Sequence, residues 1–379
     1  MTYDDGGGSD KTISLALVGD VFISRDNFGL DGGAADEGFS GVVDLLASAD
    51  VAFANFEIPL SERGYPADKY ITIRTSPDRA RDVKRMGFDV VSLANNHIMD
   101  YGPEALFDTM AALNRAGVEH VGAGETLDDA MQLWVREVGG RRIGFLAWST
   151  ILPPGAAATD TRPGVASIAI HTGYEVLVRL LEAPSAPPVI TWVDPMAQER
   201  AVEQVTRARQ AVDYLVVSVH WGADFGDDLA DYERPLGRSL ITAGADLVIG
   251  NHPHVVRGIE VYQGKPILYG TGLFVEQVPR EGSSEEILAL YEKLSPDSYV
   301  ALLDLGPADA TRLRLVATSN EGTGLPRVAQ GEVFERIADR LVQLSKPLGT
   351  ELVVDGGGIT VPLPQGGAKT SGVRAHCCR

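Results

Sequence analysis

Short runs of β-branched and aliphatic residues recur along the first two-thirds of the chain. Each closes on glycine or a polar residue and is followed by a segment with helical spacing. Ile13–Val18 ends in Gly19-Asp20, Val51–Ala54 runs into Asn55-Phe56-Glu57, and Asp89–Leu93 leads to Asn95-Asn96-His97. Arg142–Trp148, Tyr214–Val217 and Ala245–Ile249 repeat the pattern. Continuous apolar runs of this length read as strands buried on both faces, the habit of a parallel sheet. Between them, Phe39–Ser48, Asp78–Met86, Pro103–Arg115, Pro195–Ala211 and Tyr232–Ala243 predict helices. Pro103 suits a first helical position, where its missing N–H is not needed.

Beyond His254 the pattern changes. Val256–Tyr262, Pro266–Tyr269, Ser298–Leu305 and Arg312–Ala317 alternate apolar and polar positions between turn residues such as Gln263-Gly264, and predict an antiparallel sheet. Val333–Leu344 predicts an amphipathic helix. Leu152–Ser167, rich in Pro, Ala, Gly and Thr, predicts a long surface loop, of the kind that is usually a functional lid or disordered, and Ala183–Pro188 another break. Gly356–Gly358 and Pro364–Arg379 read as linker and tail. Alternating β and α followed by a β-rich remainder gives an α/β fold, a layered sandwich. The expected division is an acidic, disordered leader over 1–11, one domain over 12–345, and a C-terminal extension and tail over 346–379.

Composition narrows the setting. With 44% hydrophobic and 22% charged residues the chain is of ordinary globular type. Its 33 basic against 52 acidic side chains leave a net charge of −19, which repels nucleic-acid backbones and anionic membranes. No apolar stretch has the length to span a bilayer, and Met1–Asp10 lacks the basic and apolar regions of a signal peptide. Cys377 and Cys378, the two cysteines, offer no disulfide framework. The expectation is a cytoplasmic protein with neither nucleic acid nor membrane as partner.

Histidines are placed less evenly. His97, His220, His252 and His254 all fall at the ends of predicted strands, where open α/β sheets collect their ligands. Carboxylates at two further ends, Asp20 and Glu57, add hard oxygen donors. Imidazole and carboxylate together suit Zn, Mn or Fe ions, and a carboxylate has two oxygens with which to bridge. His120, His171 and His376 have no partners at ligand spacing, and the Gly122/Gly124 pair is no evidence for a nucleotide fold.

In order, the chain carries Gly19-Asp20-Val-Phe-Ile-Ser-Arg25, Asn55-Phe-Glu57-Ile-Pro59, Asn95-Asn96-His97-Ile-Met-Asp100-Tyr-Gly102, His220-Trp-Gly222-Ala-Asp224 and Gly250-Asn-His252-Pro-His254. Over roughly residues 12 to 275 this resembles the poly-γ-glutamate capsule-biosynthesis (CapA-like) family, whose fold is related to the calcineurin-like metallophosphoesterases. The resemblance implies an αββα sandwich and two divalent metal ions. Asp20 and His254 would hold the first ion, Glu57 would bridge, and Asn96, His220 and His252 would hold the second. His97 would act as general acid or transition-state donor. Arg25, Lys69 and Arg74 would hold the anionic group of a small substrate. Such an ion pair supplies an activated water and stabilises both attacking and leaving oxygens.

Three departures stand out. Phe22 occupies the position where the phosphoesterases carry a histidine, Ala223-Asp224 stands where a glutamate is usual, and Leu273 replaces an asparagine. The reading is a metal-dependent hydrolase of a phosphoester or related bond. Two alternatives stay open: a metal-dependent biosynthetic enzyme, forming amide bonds or using iron oxidatively, and a non-catalytic accessory protein that binds poly-γ-glutamate. The charge of −19 opposes the last.

Overall fold

The predicted parallel strands form, and their hydrogen bonding sorts them into two sheets. The structure, a computed structural model, describes residues 12–31, 37–174, 188–223, 225–306, 310–356 and 358–364. The expected leader over 1–11, residues 183–187 of the second break, Asp224, and the tail from 365 with His376, Cys377 and Cys378 lie outside the described residues.

Among the described residues the first sheet has ten strands. At its centre Ile13–Phe22 pairs in parallel with Val51–Phe56, which continues through Val90–Ser92 to Glu119–Val121. On the other side Ile13–Phe22 pairs antiparallel with Asp297–Leu305, followed by Thr311–Ser319 and a final hairpin. The second sheet has six strands in the order Ile259–Tyr262, Lys265–Leu268, Leu247–Asn251, Tyr214–His220, Arg141–Ser149 and Trp134–Val138. Its central pairs are parallel and both edge pairs antiparallel.

The two sheets face each other across one apolar core. Phe53 of the first stacks on Phe145 of the second with centroids 5.0 Å apart, a contact worth about 0.5–1.5 kcal/mol beyond its buried area. Along Tyr214–His220 the side chains alternate as the pleat requires: Val216 joins this core, while Leu215, Val217 and Val219 face the opposite way. There they meet helices Pro195–Ala211 and Glu233–Ala243. Helices Ser40–Ala47, Ala80–Arg85 and Gly102–Ala116 cross between the parallel strands of the first sheet, completing a layered αββα arrangement. Gly102–Ala116 carries Pro103 in its first turn and stops at Gly117 in the left-handed conformation (φ 76°).

Several expectations are corrected. The strands after His254 do not form one antiparallel sheet. Ile259–Tyr262 and Lys265–Leu268 make a hairpin at the edge of the second sheet, while Asp297–Leu305 and Thr311–Ser319 extend the first beside its N-terminal strand. Of the expected linker, Gly358 opens the second strand of a hairpin, Val353–Asp355 with Gly358–Val361, and that strand pairs with Leu313–Leu315. Residues 152–167 are tied into the fold and are not a free surface loop. Their backbone is pinned by bonds from Val165 to Ala156, Ala166 to Gly122 and Leu127 to Thr159 (all 2.9 Å), and Ala156, Val165 and Ala166 are buried. Helix Glu285–Tyr291, N-capped by Ser284, is an addition that the pattern did not predict.

Candidate metal centre

Strand ends from both sheets converge on one spot. Asp20 lies near the end of Ile13–Phe22, and Glu57 follows directly on Val51–Phe56. Asn96 and His97 occupy the turn after Val90–Ser92, His220 ends Tyr214–His220, and His252 and His254 follow Leu247–Asn251. Local geometry sharpens each placement. A Cβ at Gly19 would lie 2.1 Å from the Gly272 carbonyl oxygen, so only glycine lets strand Ile13–Phe22 pass this close beside Asp20. The pairing register between Ile13–Phe22 and Val51–Phe56 shifts between Leu17 and Asp20, an irregularity of the kind that re-aims side chains. His252 and His254 both have positive φ, 95° and 55°, a strain of about 1–3 kcal/mol each that surrounding structure must hold.

The side chains form two overlapping donor groups. Glu57, His220 and His252 bring ligand atoms within 4.8 Å of one another, and so do Asp20, Glu57 and His254. Glu57 belongs to both. Asn96 Oδ1 lies 2.8 Å from His220 Nε2, and His254 Nδ1 lies 3.0 Å from Asp20 Oδ2. The backbone N–H of His252 donates to Asp20 Oδ2 across the sheets (3.1 Å). Asn95, by contrast, holds the turn: its Oδ1 accepts from the N–H groups of His97 and Ile98 (3.2 and 3.0 Å).

Electrostatics prepare the donors. Burial drives the His220 imidazole down to about 3 and His252 well below its ordinary value, so both are neutral with a lone pair to offer at pH 7. Burial pushes the Asp20 carboxyl up, but the hydrogen bonds with His254 and Asn55 and the attraction of neighbouring His254 together outweigh it and hold the group below the usual carboxylate value. Neutral imidazoles and an ionised carboxylate, buried and converging, are a donor set that fits divalent transition ions.

Asn55, in the quoted motif but given no role by the sequence, ties the cluster together. Its amide nitrogen lies 2.8 Å from Asp20 Oδ1, 3.2 Å from Glu57 Oε2 and 3.2 Å from His220 Nδ1. The available signal was its position two before Glu57, on the same side of an extended strand. Asn55→Ala is expected to weaken metal affinity about 10–100-fold, as loss of a group that orients ligands does, in a calorimetric metal titration. Unchanged affinity would remove Asn55 from the site.

His97 stands beside the cluster, with its Nδ1 2.7 Å from Asp100 Oδ2. Asp100, part of the quoted motif but assigned no role there, holds this histidine in place. It is fully buried and also accepts from Lys69 Nζ (2.6 Å) and from the N–H of Ile73 (2.8 Å). Burial lowers the His97 imidazole below its ordinary value, against the opposing pull of Asp100. Phe22 sits edge-on to both His97 and His254, with centroids 6.2 and 5.7 Å away, filling the place of the missing histidine with an apolar ring. Leu273 is buried and pairs with Asp20 through the backbone, so it brings no polar group to the site.

A cavity of about 330 Å³ opens beside these groups, lined on its polar side by Lys69, Asn96, His97, His252 and His254. The three cations expected to hold substrate fare differently. Lys69 lines the cavity, though its ammonium already donates to Asp100 and to the Asn96 carbonyl (2.9 Å). Arg74 does not line it: its guanidinium lies 4.2 Å above the Tyr101 ring and donates to the Arg63 carbonyl (3.2 Å). Arg25 is exposed and likewise absent from the lining.

A buried ion pair missed in the sequence shapes one rim. Arg257 Nη1 lies 3.1 Å from Glu233 Oε1, both side chains fully buried, and the rest of its guanidinium donates to the Gly226 and Ala223 carbonyls (2.9 and 2.8 Å). This fixes the loop carrying Phe225, whose φ of 63° and N–H bond to Pro253 (2.9 Å) hold it near His254. Burial pushes the Glu233 carboxyl up to about 7 despite the neighbouring guanidinium. Trp221 lies below, fully buried, stacked on Tyr269 and bonded to its carbonyl (3.0 Å). His171 pairs with Asp194 (3.0 Å) and is not among the cavity's lining residues.

Comparison with known proteins gives this geometry a family. The chain is 32% identical over 271 residues to the PGA biosynthesis protein CapA of Bacillus subtilis, covering 70% of this chain and 64% of that one. It is 28% identical over 308 residues to the capsule biosynthesis protein CapA of Bacillus anthracis (79% and 67% covered). It is 33% identical over 306 residues to a probable polyglutamine synthesis accessory protein of Mycobacterium tuberculosis (78% and 75% covered). The match thus spans less than two-thirds of the Bacillus subtilis protein's length. Among the described residues no helix is long and apolar enough to cross a membrane. Residues 14–278, which hold every candidate ligand and the His97–Asp100 pair, match the family described as bacterial capsule synthesis protein PGA_cap, and the chain belongs to that family.

Proposed function

We propose that this chain is a dinuclear-metal-dependent hydrolase acting on a phosphoester or related bond of a small anionic substrate. The observation that carries this reading is the shared carboxylate: Glu57 belongs to both donor groups, which is what a bridging ligand requires. Asp20, Glu57 and His254 would hold one ion; Glu57, His220, His252 and the Asn96 amide oxygen would hold the other. When bound, such a pair supplies water activation and charge stabilisation at neutral pH. The chain's own residues do the rest. With Nδ1 engaged by Asp100, a His97 imidazolium would hold its second proton on Nε2 and give it to the leaving oxygen, returning to the neutral ring. Lys69, beside it, places a positive charge where the anionic group would lie. Phe22 excludes water from the edge between His97 and His254. The relatives are named for capsule or polyglutamate-type biosynthesis, and this reading assigns the present chain a bond-breaking step in place of polymer binding.

Elemental analysis of protein purified without chelator tests it. About two equivalents of Mn, Zn or Fe are expected, with phosphomonoester turnover abolished by chelation and restored by Mn or Zn. No stoichiometric metal after reconstitution, or turnover indifferent to chelator, would overturn the proposal. Iron with oxygen-dependent turnover would turn it toward oxidative chemistry.

A further inference from the structure

Away from its histidine end, the cavity changes character. Ile71 and Ile73 form one wall, from the segment that carries Lys69. Leu290, Tyr291 and Leu294, from helix Glu285–Tyr291 and the turn after it, line it as well. Phe22 and Phe225 close the sides nearest His254. Among the described residues, Lys69 is the single lysine or arginine in the lining, and no aspartate or glutamate joins it. That ammonium is already committed to Asp100 at 2.6 Å and the Asn96 carbonyl at 2.9 Å.

This distribution selects a ligand. A polyanion, such as a γ-linked glutamate chain or a nucleoside polyphosphate, carries further charges beyond the reacting group. Here those charges would leave water for aliphatic and aromatic walls with no cation to meet them, at a cost of several kcal/mol each. The protein's net charge of −19 adds long-range repulsion. An apolar body gains from the same walls through area removed from water. The volume, about 330 Å³, is at the lower end for small-molecule sites and too small for a polymer segment with several side chains.

We infer that the substrate is a small molecule with one anionic head and an uncharged, apolar body, aryl or branched alkyl, with the head at the histidine cluster and the body between Ile71 and Leu290. This inference rests on the proposed metal-centred reading for the position of the head. Nothing in it depends on the reaction being hydrolysis.

Binding to the metal-loaded protein, measured by calorimetry, tests it with phenylphosphonate, methylphosphonate and a γ-linked glutamate trimer. Phenylphosphonate is expected to bind about tenfold to a hundredfold more tightly than methylphosphonate, the scale of burying one ring. The trimer is expected to show no measurable binding. Leu290→Asp, on a half-exposed helix position, is expected to reduce the phenyl preference at least about fivefold while leaving metal content at the wild-type value; Ile71→Ala serves as a second, milder variant. Equal binding of the two phosphonates, no binding of either, or tight binding of the trimer would overturn the inference. Phenylphosphonate binding without turnover of phenyl phosphate would leave it standing and sink the hydrolase reading instead. Equal turnover of methyl and phenyl phosphate would do the reverse.

Discussion

Glu57→Ala is expected to take the purified protein from about two equivalents of metal to fewer than one, and to lower turnover by at least about 10³-fold. The size follows from what the residue does twice. Glu57 belongs to both donor groups at the centre, so its removal leaves Asp20 with His254 on one side and His220 and His252 with the Asn96 amide oxygen on the other. Neither remainder, a carboxylate with one imidazole or two imidazoles with a neutral amide, would hold a divalent ion well without the shared carboxylate. Under the proposed function, Lewis-acid stabilisation worth several kcal/mol would go with the ions, and about 4 kcal/mol corresponds to 10³ in rate. His252→Ala provides the internal contrast, since it spares the group of Asp20, Glu57 and His254 and should cost about one equivalent, not two. Elemental analysis beside steady-state kinetics reads both. Two retained equivalents in Glu57→Ala would dismiss the bridging role.

Asp100 is expected to produce the second largest effect, and one of a different kind. Asp100→Asn preserves shape and a hydrogen-bond acceptor for His97 but loses the charge that holds the ring and Lys69 together. A fall in kcat of about 10²–10⁴-fold is expected, with metal content intact, because the proton-transfer group is displaced or left in the wrong tautomer. Asp100→Ala should add a stability loss of about 3 kcal/mol. It strands the Lys69 ammonium, whose side chain is only 15% exposed, and leaves the Ile73 N–H without its acceptor. Thermal or urea unfolding of the two variants separates the effects. If Asp100→Asn keeps wild-type kcat, His97 is not the proton-transfer group.

What the sequence disclosed and what it hid follow physical lines. Strands buried on both faces announce themselves as unbroken apolar runs, and the polar residue ending each run is where a parallel sheet presents its ligands. Asp20, Glu57, Asn96, His220 and His252 were legible for that reason, and the structure gathers them. Trp134–Val138 and the final hairpin were not, because edge strands are partly solvated and their apolar signal is diluted. Asn55 and Asp100 act through other side chains, and such roles depend on distances between segments far apart in the chain. Arg74 shows the converse. Its place in the sequence put it beside the motif, but the Tyr101 ring and the Arg63 carbonyl claim its guanidinium. The β-rich final third was read as a sheet of its own because alternation gives a strand's faces but not its neighbours.

The seam between the two sheets has a consequence for how the molecule comes together. Asp20, Glu57 and Asn96 arrive on one half of the sandwich; His220, His252 and His254 arrive on the other. Under the dinuclear reading neither half alone would supply all the ligands of either ion, so ions would be captured only after the halves have docked. Under the dinuclear reading, the ions are then rivets. They lock a junction already closed by Phe53 against Phe145, and their departure loosens that junction before either sheet frays. Metal supply would therefore govern the lifetime of the closed sandwich as well as its chemistry.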